Sequence, residues 1–152
     1  EREGNQVGAG DVRGDIKFID GPSEEETQAV LKPLLDSNLQ RGPLPCLHRF
    51  AFMLTGDAGF VGGLIGRTAY DWAVIELLYV PTYMRGTGTG QSLVARAEEL
   101  ARDRGCVGIW LDSFGFQAPG FYQKLGYEVF GELPENPRGQ SRFFLRKLLT
   151  QA

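Results

Sequence analysis

Residues 85–90 read Arg-Gly-Thr-Gly-Thr-Gly and lie between an apolar run and an amphipathic segment. Three glycines in six residues let the backbone curl tightly and turn its N–H groups inward. The next segment is predicted to be a helix, whose unpaired N–H groups and positive dipole end point to the same place. The stretch therefore predicts a backbone cradle for a phosphate or a pyrophosphate.

The glycine loop joins two predicted strands through this helix. Residues 91–104 place apolar side chains on one face and charged ones, Glu98 among them, on the other, which is typical of a helix packed on a sheet. Residues 72–80 before the loop and 106–111 after the helix read as strands. Because a strand, a helix and a strand follow one another, these two strands are predicted to be parallel.

The other elements complete a mixed α/β fold. Further strands are predicted at residues 15–20, 47–54, 60–67, 127–130 and 141–149, and further helices at residues 23–40 and 117–125. Ser23 and Glu26 form a capping box at the start of the first helix, which Pro33 is expected to kink or divide. Short connections favour antiparallel pairing for most of the sheet.

Size and composition indicate one ordinary globular domain. We predict a flexible N-terminal arm at residues 1–14 and a single domain at residues 15–152. A net charge of −3 predicts no nucleic-acid partner, and no apolar run approaches the roughly 20 residues of a membrane helix. Cys46 and Cys106 match no metal-binding or redox spacing, so we expect no metal and a cytoplasmic location.

Two common phosphate-binding loops do not fit this sequence. A nucleotide P-loop ends in Gly-Lys-Ser/Thr, whereas Gly90 is followed by Gln91 and Ser92. The glycine spacing also differs from that of a dinucleotide-binding loop. Instead, Arg85-x-x-Gly88-x-Gly90 resembles the Arg/Gln-x-x-Gly-x-Gly/Ala signature of the GNAT superfamily of acyl-CoA-dependent N-acyltransferases.

A second motif supports the same resemblance. Residues 121–127, Phe-Tyr-Gln-Lys-Leu-Gly-Tyr, are similar to the Leu/Phe-Tyr-x-Lys-x-Gly-Phe/Tyr helix of that superfamily. The resemblance implies a mostly antiparallel sheet of about six or seven strands and about four flanking helices. It also implies a splayed parallel pair, with the cofactor lying between residues 72–80 and 106–113.

The resemblance implies which residues bind acetyl-CoA. The pyrophosphate is expected at Arg85, Gly86, Thr87, Gly88, Thr89, Gly90 and Ser92, mostly through backbone N–H groups. Thr87 and Thr89 would serve either as hydroxyl donors or as helix caps. The backbone of Leu78 and Val80 would hold the pantetheine arm and the thioester carbonyl. Many members carry an Asn where this chain has Gly115, and Gln117 is the candidate to replace it.

The resemblance also implies a catalytic tyrosine. Tyr122 would be the general acid, because a phenol with a pKa of about 10 can protonate a thiolate whose acid has a pKa of about 8.5. A core aromatic is the alternative role for Tyr122.

Glu76 is the first candidate base, on the same face as Leu78 if no bulge intervenes, and its burial would raise its pKa. A strand-edge charge is the alternative for Glu76, and Asp112 is the second candidate base.

The predicted function is acetyl transfer from acetyl-CoA to a primary amine of a small molecule. Neither cysteine lies in either motif, so direct attack in a ternary complex is expected without a covalent intermediate. Acetylation of a protein lysine or N-terminus is one alternative, and a non-catalytic acyl-CoA sensor is another. Residues 23–45 and 131–141 would select the acceptor, and the resemblance leaves a homodimer open.

Overall fold

The computed structural model describes residues 14–149 of the chain. The elements are, in order, α1 (Glu24–Arg41), β1 (His48–Gly56), β2 (Gly59–Ala69), β3 (Trp72–Tyr79), a 3-10 turn (Thr82–Met84), α2 (Thr89–Asp103), β4 (Gly108–Phe114), α3 (Pro119–Lys124), β5 (Glu128–Pro134) and β6 (Ser141–Leu148). The chain forms two compact units, divided between Gly42 and Pro43. The predicted N-terminal arm lies outside the described residues except for Gly14, and the single domain stays a prediction.

Helix α1 begins at the predicted capping box. The Ser23 hydroxyl accepts from the Glu26 N–H at 3.1 Å, and the Ser23 N–H donates to the Glu26 carboxylate at 2.8 Å. Pro33 does not divide this segment into two helices, since α1 continues through it as one helix, and a kink at Pro33 stays a prediction. Proline removes one backbone hydrogen bond, and the other turns of this 18-residue helix hold it together.

The predicted first strand at residues 15–20 was wrong. These residues have no regular secondary structure, and all six strands of the sheet come from residues 48–148. An alternating pattern becomes a strand only where a neighbouring strand supplies hydrogen-bond partners. Sequence periodicity alone cannot provide that partner.

The sheet has the predicted mixed character. Its order is β1-β2-β3-β4-β6-β5, and all neighbours are antiparallel except the parallel pair β3 and β4. Three α-helices are present among residues 14–149, one fewer than expected because Pro33 does not divide α1. Helix α2 ends as predicted before Gly105, whose φ of 76° suits the left-handed position that follows a helix.

The parallel pair separates after a short contact. Strands β3 and β4 pair only at Trp72 with Gly108, Ala73 with Ile109 and Val74 with Trp110. Beyond these residues β3 continues to Tyr79 and β4 to Phe114 without pairing with each other. The splay predicted from the resemblance is therefore confirmed, and it opens on the side of the glycine loop.

A β-bulge lies at the start of the splay. Ile65 of β2 faces Leu77, and its neighbour Gly66 faces Ile75, so Glu76 is an extra residue in β3. An extra residue changes which face the following side chains occupy. Glu76 was predicted to share a face with Leu78 only if no bulge intervened. Because this bulge is present, the two side chains do not share a face.

The bulge decides which β3 side chains reach the core. Leu78 and Val80 pack against the hydrophobic cluster, whereas Leu77 is 63% exposed. Strict alternation from the buried Ile75 would have put Leu77 inside. The bulge therefore brings Leu78 and Val80, the two residues expected to hold the cofactor, to the core face.

Helix α2 covers that core face of the sheet. Its buried side chains are Leu93, Val94, Ala97 and Ala101, and the core sheet residues include Leu64, Ala73, Ile75, Ile109, Leu111 and Leu145. Glu98, predicted on the exposed face, is buried instead. Its carboxylate accepts from Tyr127 Oη at 3.0 Å and from Lys147 Nζ at 3.1 Å, which compensates its loss of water.

Candidate active site

The glycine loop has the backbone conformation that its sequence predicts. Gly86 and Gly88 have φ angles of 78° and 82°, in the left-handed region that suits glycine. Among residues 14–149, no backbone carbonyl accepts from the N–H groups of residues 86–91. Six consecutive donors at a helix N-terminus form the geometry of an anion site.

The hydroxyl groups of the loop bond to the loop itself. Thr87 Oγ1 donates to the Met84 carbonyl at 2.6 Å and lies 2.8 Å from Thr89 Oγ1. A hydroxyl has one proton, so Thr89 is the donor in the second contact. In this arrangement both hydroxyls shape the loop, and neither has a proton left for a phosphate. Ser92 is exposed in the first turn of α2, where its N–H donates to the Gly88 carbonyl at 2.9 Å.

Arg85 ties the loop to the end of β3. Its Nε donates to the Val80 carbonyl at 2.9 Å, and its guanidinium lies 5.9 Å from the centre of the Tyr79 ring. The Val80 N–H has no backbone acceptor among the described residues. Leu78 faces Leu64 in the register of β2 and β3. A free donor at Val80 therefore lies at the open end of the splay.

A cleft of about 790 Å³ occupies the splay. Strands β3 and β4 form its sides, and the glycine loop and α3 close its end. It is lined by most residues singled out from the sequence: Glu76, Leu78, Val80, Arg85, Gly86, Gly88, Thr89, Gly90, Asp112, Gln117 and Tyr122. Thr87 and Ser92 belong to the same loop and helix start but do not line it.

Tyr122 lies at the cleft wall on α3. Its residue is only 8% exposed, and its ring packs edge-on against Phe121 and Tyr127. Burial, and secondarily the charge of Asp112, raises the pKa of Tyr122 to about 12. Within residues 14–149 its hydroxyl makes no hydrogen bond to a side chain. Tyr122 is thus a protonated donor near neutral pH, bordering the cleft.

Asp112 lies on the other side of the splay from β3. Its Oδ2 accepts from Arg142 Nε at 2.7 Å, and the Arg142 guanidinium stacks on Phe114 and Phe144 at 5.4 and 5.3 Å. The carboxylate is half-buried and keeps lone pairs beyond the single contact with Arg142. It is fixed in place while remaining able to accept from a ligand.

Glu76 differs from its sequence prediction. It is exposed rather than buried, because it directly follows the core residue Ile75 and so lies on the opposite face of β3, where Arg67 of β2 forms an ion pair with it at 3.1 Å. Val74 and Trp110 are the last paired residues, and Glu76 and Asp112 each follow two positions later. One carboxylate therefore lies on each side of the splay, each held by an arginine from the neighbouring strand.

Arg67 and Arg142 were missed by sequence reasoning. No motif contains them, and their role follows only from strand register, which pairs β2 with β3 and β6 with β4. Gln117 was found, and its Oε1 accepts from the Phe114 N–H at 2.9 Å. This contact leaves the Gln117 amide N–H₂ as the donor group bordering the cleft.

Comparison with known proteins now assigns the chain to a family. The sequence model described as the Acetyltransferase (GNAT) family matches residues 21–127. The chain belongs to the GNAT family. As a GNAT acetyltransferase it is an acetyl-CoA-dependent transferase, and the splayed cleft with its N–H cradle is the part of the fold that suits such a donor.

Similar proteins in bacteria include members with assigned activities. This protein is 40% identical to blasticidin-S acetyltransferase of Streptomyces morookaense over 105 residues. The matched region covers 68% of this chain and 77% of that protein. It is 37% identical to an acetyltransferase of Agrobacterium fabrum over 124 residues, 81% of this chain and 90% of the relative. A crystal structure assigned as an acetyltransferase, from Agrobacterium tumefaciens, superposes with a TM-score of 0.84 at 34% identity, covering 89% and 99% of the two chains.

Within residues 14–149, no three His, Cys, Asp or Glu side chains are grouped so that they could hold a metal ion. None of the helices in the described part combines the length and apolar character needed to cross a bilayer.

Proposed function

We propose that this protein transfers the acetyl group of acetyl-CoA to a primary amine of a small molecule, by direct attack within a ternary complex. The observation that carries the proposal is the position of Tyr122, a buried and protonated phenol bordering the splayed cleft. The N–H groups of residues 86–91 would bind the pyrophosphate, and the pantetheine arm would lie between β3 and β4.

The reaction has two bond changes. The free amine attacks the thioester carbonyl, a C–N bond forms, and the carbonyl oxygen becomes an oxyanion, which the Val80 N–H would stabilise. The intermediate then collapses, the C–S bond breaks, and the CoA thiolate takes the proton of Tyr122. The proton lost by the amine reprotonates the tyrosine through the base and solvent, so the enzyme returns to its starting state.

Glu76 is the proposed base, acting directly or through water, with Asp112 as the second candidate. Both carboxylates line the cleft, and each has one arginine partner. The Glu76 side chain is 30% exposed, so a water molecule has access to it. Asp112 has the shorter contact, with its Oδ2 2.7 Å from Arg142 Nε, and its charge also raises the pKa of Tyr122.

A small amine is the acceptor that these features support. Two carboxylates flank the opening of the splay, and each keeps lone pairs outside its arginine contact that would accept hydrogen bonds from an amine. The relative that is 40% identical is named for the acetylation of blasticidin S, a small molecule. A cytoplasmic location and a homodimer remain proposals that follow from the sequence.

A panel of acceptors with acetyl-CoA tests this proposal. Thiol release and product mass would be followed for blasticidin S, simple alkylamines, a lysine peptide and a peptide with a free N-terminus. Acetylation of a small amine with the peptides inert is expected. Acetylation of peptides alone would point to a protein acetyltransferase. Thermal stabilisation by acetyl-CoA without thiol release from any acceptor would instead indicate an acyl-CoA sensor.

A further inference from the structure

A second pocket lies outside the acetyl-CoA cleft. It has a volume of about 460 Å³ and is lined by Trp72, Trp110, Phe130, Phe144 and Arg146. These side chains come from four adjacent strands, β3, β4, β5 and β6. None of them lines the cleft, and the proposed acetyl transfer uses none of them.

The aromatic pocket shares a face of the sheet with Asp112. Trp110 precedes Asp112 by two residues in β4, and Phe144 faces Asp112 across β4 and β6. Residues two apart in a strand point to the same face, and the intervening Leu111 is buried in the core on the other face. The pocket therefore begins about 7 Å from Asp112, the length of two strand residues.

The chemistry of the pocket favours a flat ring. Four aromatic side chains offer faces and edges for stacking. Arg146 adds a donor group: its Nε donates to Glu128 at 3.0 Å, and its guanidinium lies 5.2 Å from the centre of the Phe130 ring. The other guanidinium N–H groups have no side-chain partner among residues 14–149 and can bond to an acceptor in the plane of a stacked ring.

We propose that this pocket binds a flat heteroaromatic ring bearing a carbonyl or ring-nitrogen acceptor, carried by the same molecule whose amine is acetylated. The inference rests on the proposed function, because it places the amine at the splay and the ring at Trp110. The distance from Asp112 sets the tether between the two groups at about 7 Å, which is a few bonds. The ring would add affinity and selectivity without touching the reacting atoms.

Tryptophan fluorescence tests the pocket without any turnover. Both tryptophans of the chain, Trp72 and Trp110, line it, so the whole intrinsic tryptophan signal reports on this site. An N-aminopropyl pyridone and its saturated lactam counterpart would be titrated, with free N-acetyltryptophanamide as the correction for absorbance. The pyridone is expected to quench saturably and to bind at least tenfold more tightly than the lactam, which lacks a flat ring.

Matched variants separate the pocket from general effects on the fold. Phe130→Ala removes a ring on the edge strand that is 47% exposed, and Val129→Ala alters a neighbouring residue that lines neither cavity. In the wild type, KM is expected to be about tenfold lower for the pyridone amine than for the lactam amine. In Phe130→Ala the ratio of these two KM values is expected to fall towards one. Val129→Ala is expected to keep the preference.

The outcomes distinguish this inference from the proposed function. Equal binding of both amines, or the same preference in Phe130→Ala and Val129→Ala, overturns the inference while acetylation of simple amines leaves the proposed function in place. Absence of acetylation for every amine overturns the proposed function and, with it, the assignment of the ring to the acceptor, even if quenching is seen. Arg146→Met provides a second variant, expected to weaken the pyridone more than a carbocyclic amine.

Discussion

Arg142 donates from its Nε to Oδ2 of Asp112 at 2.7 Å and so connects β6 to β4 beside the splay. The Asp112 carboxylate is also the charge that, after burial, raises the pKa of Tyr122 to about 12. The ion pair therefore sets the position of a charge that keeps the proposed proton donor protonated.

Asp112→Asn should lower the pKa of Tyr122, since an amide does not disfavour a tyrosinate nearby. Arg142→Met should raise it, because the carboxylate then loses the cation that offsets it. A general acid is lost as pH rises through its pKa, so the Asp112→Asn variant should lose tyrosine protonation at lower pH. Ultraviolet titration of tyrosinate, with Tyr122→Phe as the difference reference, measures this. Identical titrations in the wild type and Asp112→Asn would show that the two groups do not interact.

Tyr122→Phe should lower kcat by about 100-fold or more, in the range that positioned proton donors contribute. Affinity for acetyl-CoA should change little, because the ring remains in place. Tyr127→Phe is the matched control: it loses the hydrogen bond to the buried Glu98 carboxylate, should cost about 2 kcal/mol of stability, and should keep kcat. Steady-state kinetics where chemistry limits the rate, with calorimetry for the cofactor, gives both quantities. An unchanged kcat in Tyr122→Phe would remove the general-acid assignment.

Glu76→Gln should reduce kcat/KM most at low pH. Without a base, the reaction depends on the fraction of acceptor already present as free amine, so the deficit should shrink as pH approaches the amine's own pKa. Asp112→Asn is the comparison, since it removes the other carboxylate beside the splay. A pH profile of kcat/KM for both variants decides between them. A deficit in Glu76→Gln that is equal at every pH would assign Glu76 to binding or structure instead.

What the sequence could predict was mostly local. The glycine loop, the capping box at Ser23 and the parallel connection depend on short-range spacing, and the structure shows each of them. The bulge at Glu76 could not be predicted, because register between β2 and β3 is set by packing across strands rather than by residues 72–79 alone.

The same limit explains the errors in the candidate site. Arg67 and Arg142 meet their carboxylates only through the order of strands, which a single sequence does not contain. Glu98 seemed to belong to a solvated helix face, yet Lys147, 49 residues away, compensates its burial. Charges buried with a distant partner follow the same periodic pattern as exposed ones, so periodicity does not distinguish them.

Gly88→Ala should weaken acetyl-CoA binding by more than its effect on stability explains. Gly88 has φ of 82°, and no atom other than those of its chain neighbours lies within 4 Å of the position that a Cβ atom would take there. A methyl group at this position would therefore occupy the space beside the N–H cradle. Gly139→Ala is closely matched, with φ of 79° and equally open surroundings far from the loop in sequence. Both variants should lose about 1 kcal/mol from left-handed backbone strain, and only Gly88→Ala should lose cofactor affinity. Equal affinity in the two variants, measured by calorimetry, would contradict the phosphate-cradle assignment.

Lys147→Met should destabilise the fold by about 3 kcal/mol, because it leaves the charge of Glu98 buried without its cation. Lys147 Nζ bonds to both Glu98 oxygens and to the Leu125 carbonyl, and Glu98 forms no other ion pair within the described residues. Adding Glu98→Gln to Lys147→Met removes the uncompensated charge and should restore part of the lost stability, since Tyr127 can still donate to the amide oxygen. Urea unfolding of the single and double variants measures the coupling. Strictly additive losses in the double variant would mean that Glu98 and Lys147 contribute independently, and that solvent rather than Lys147 compensates the carboxylate.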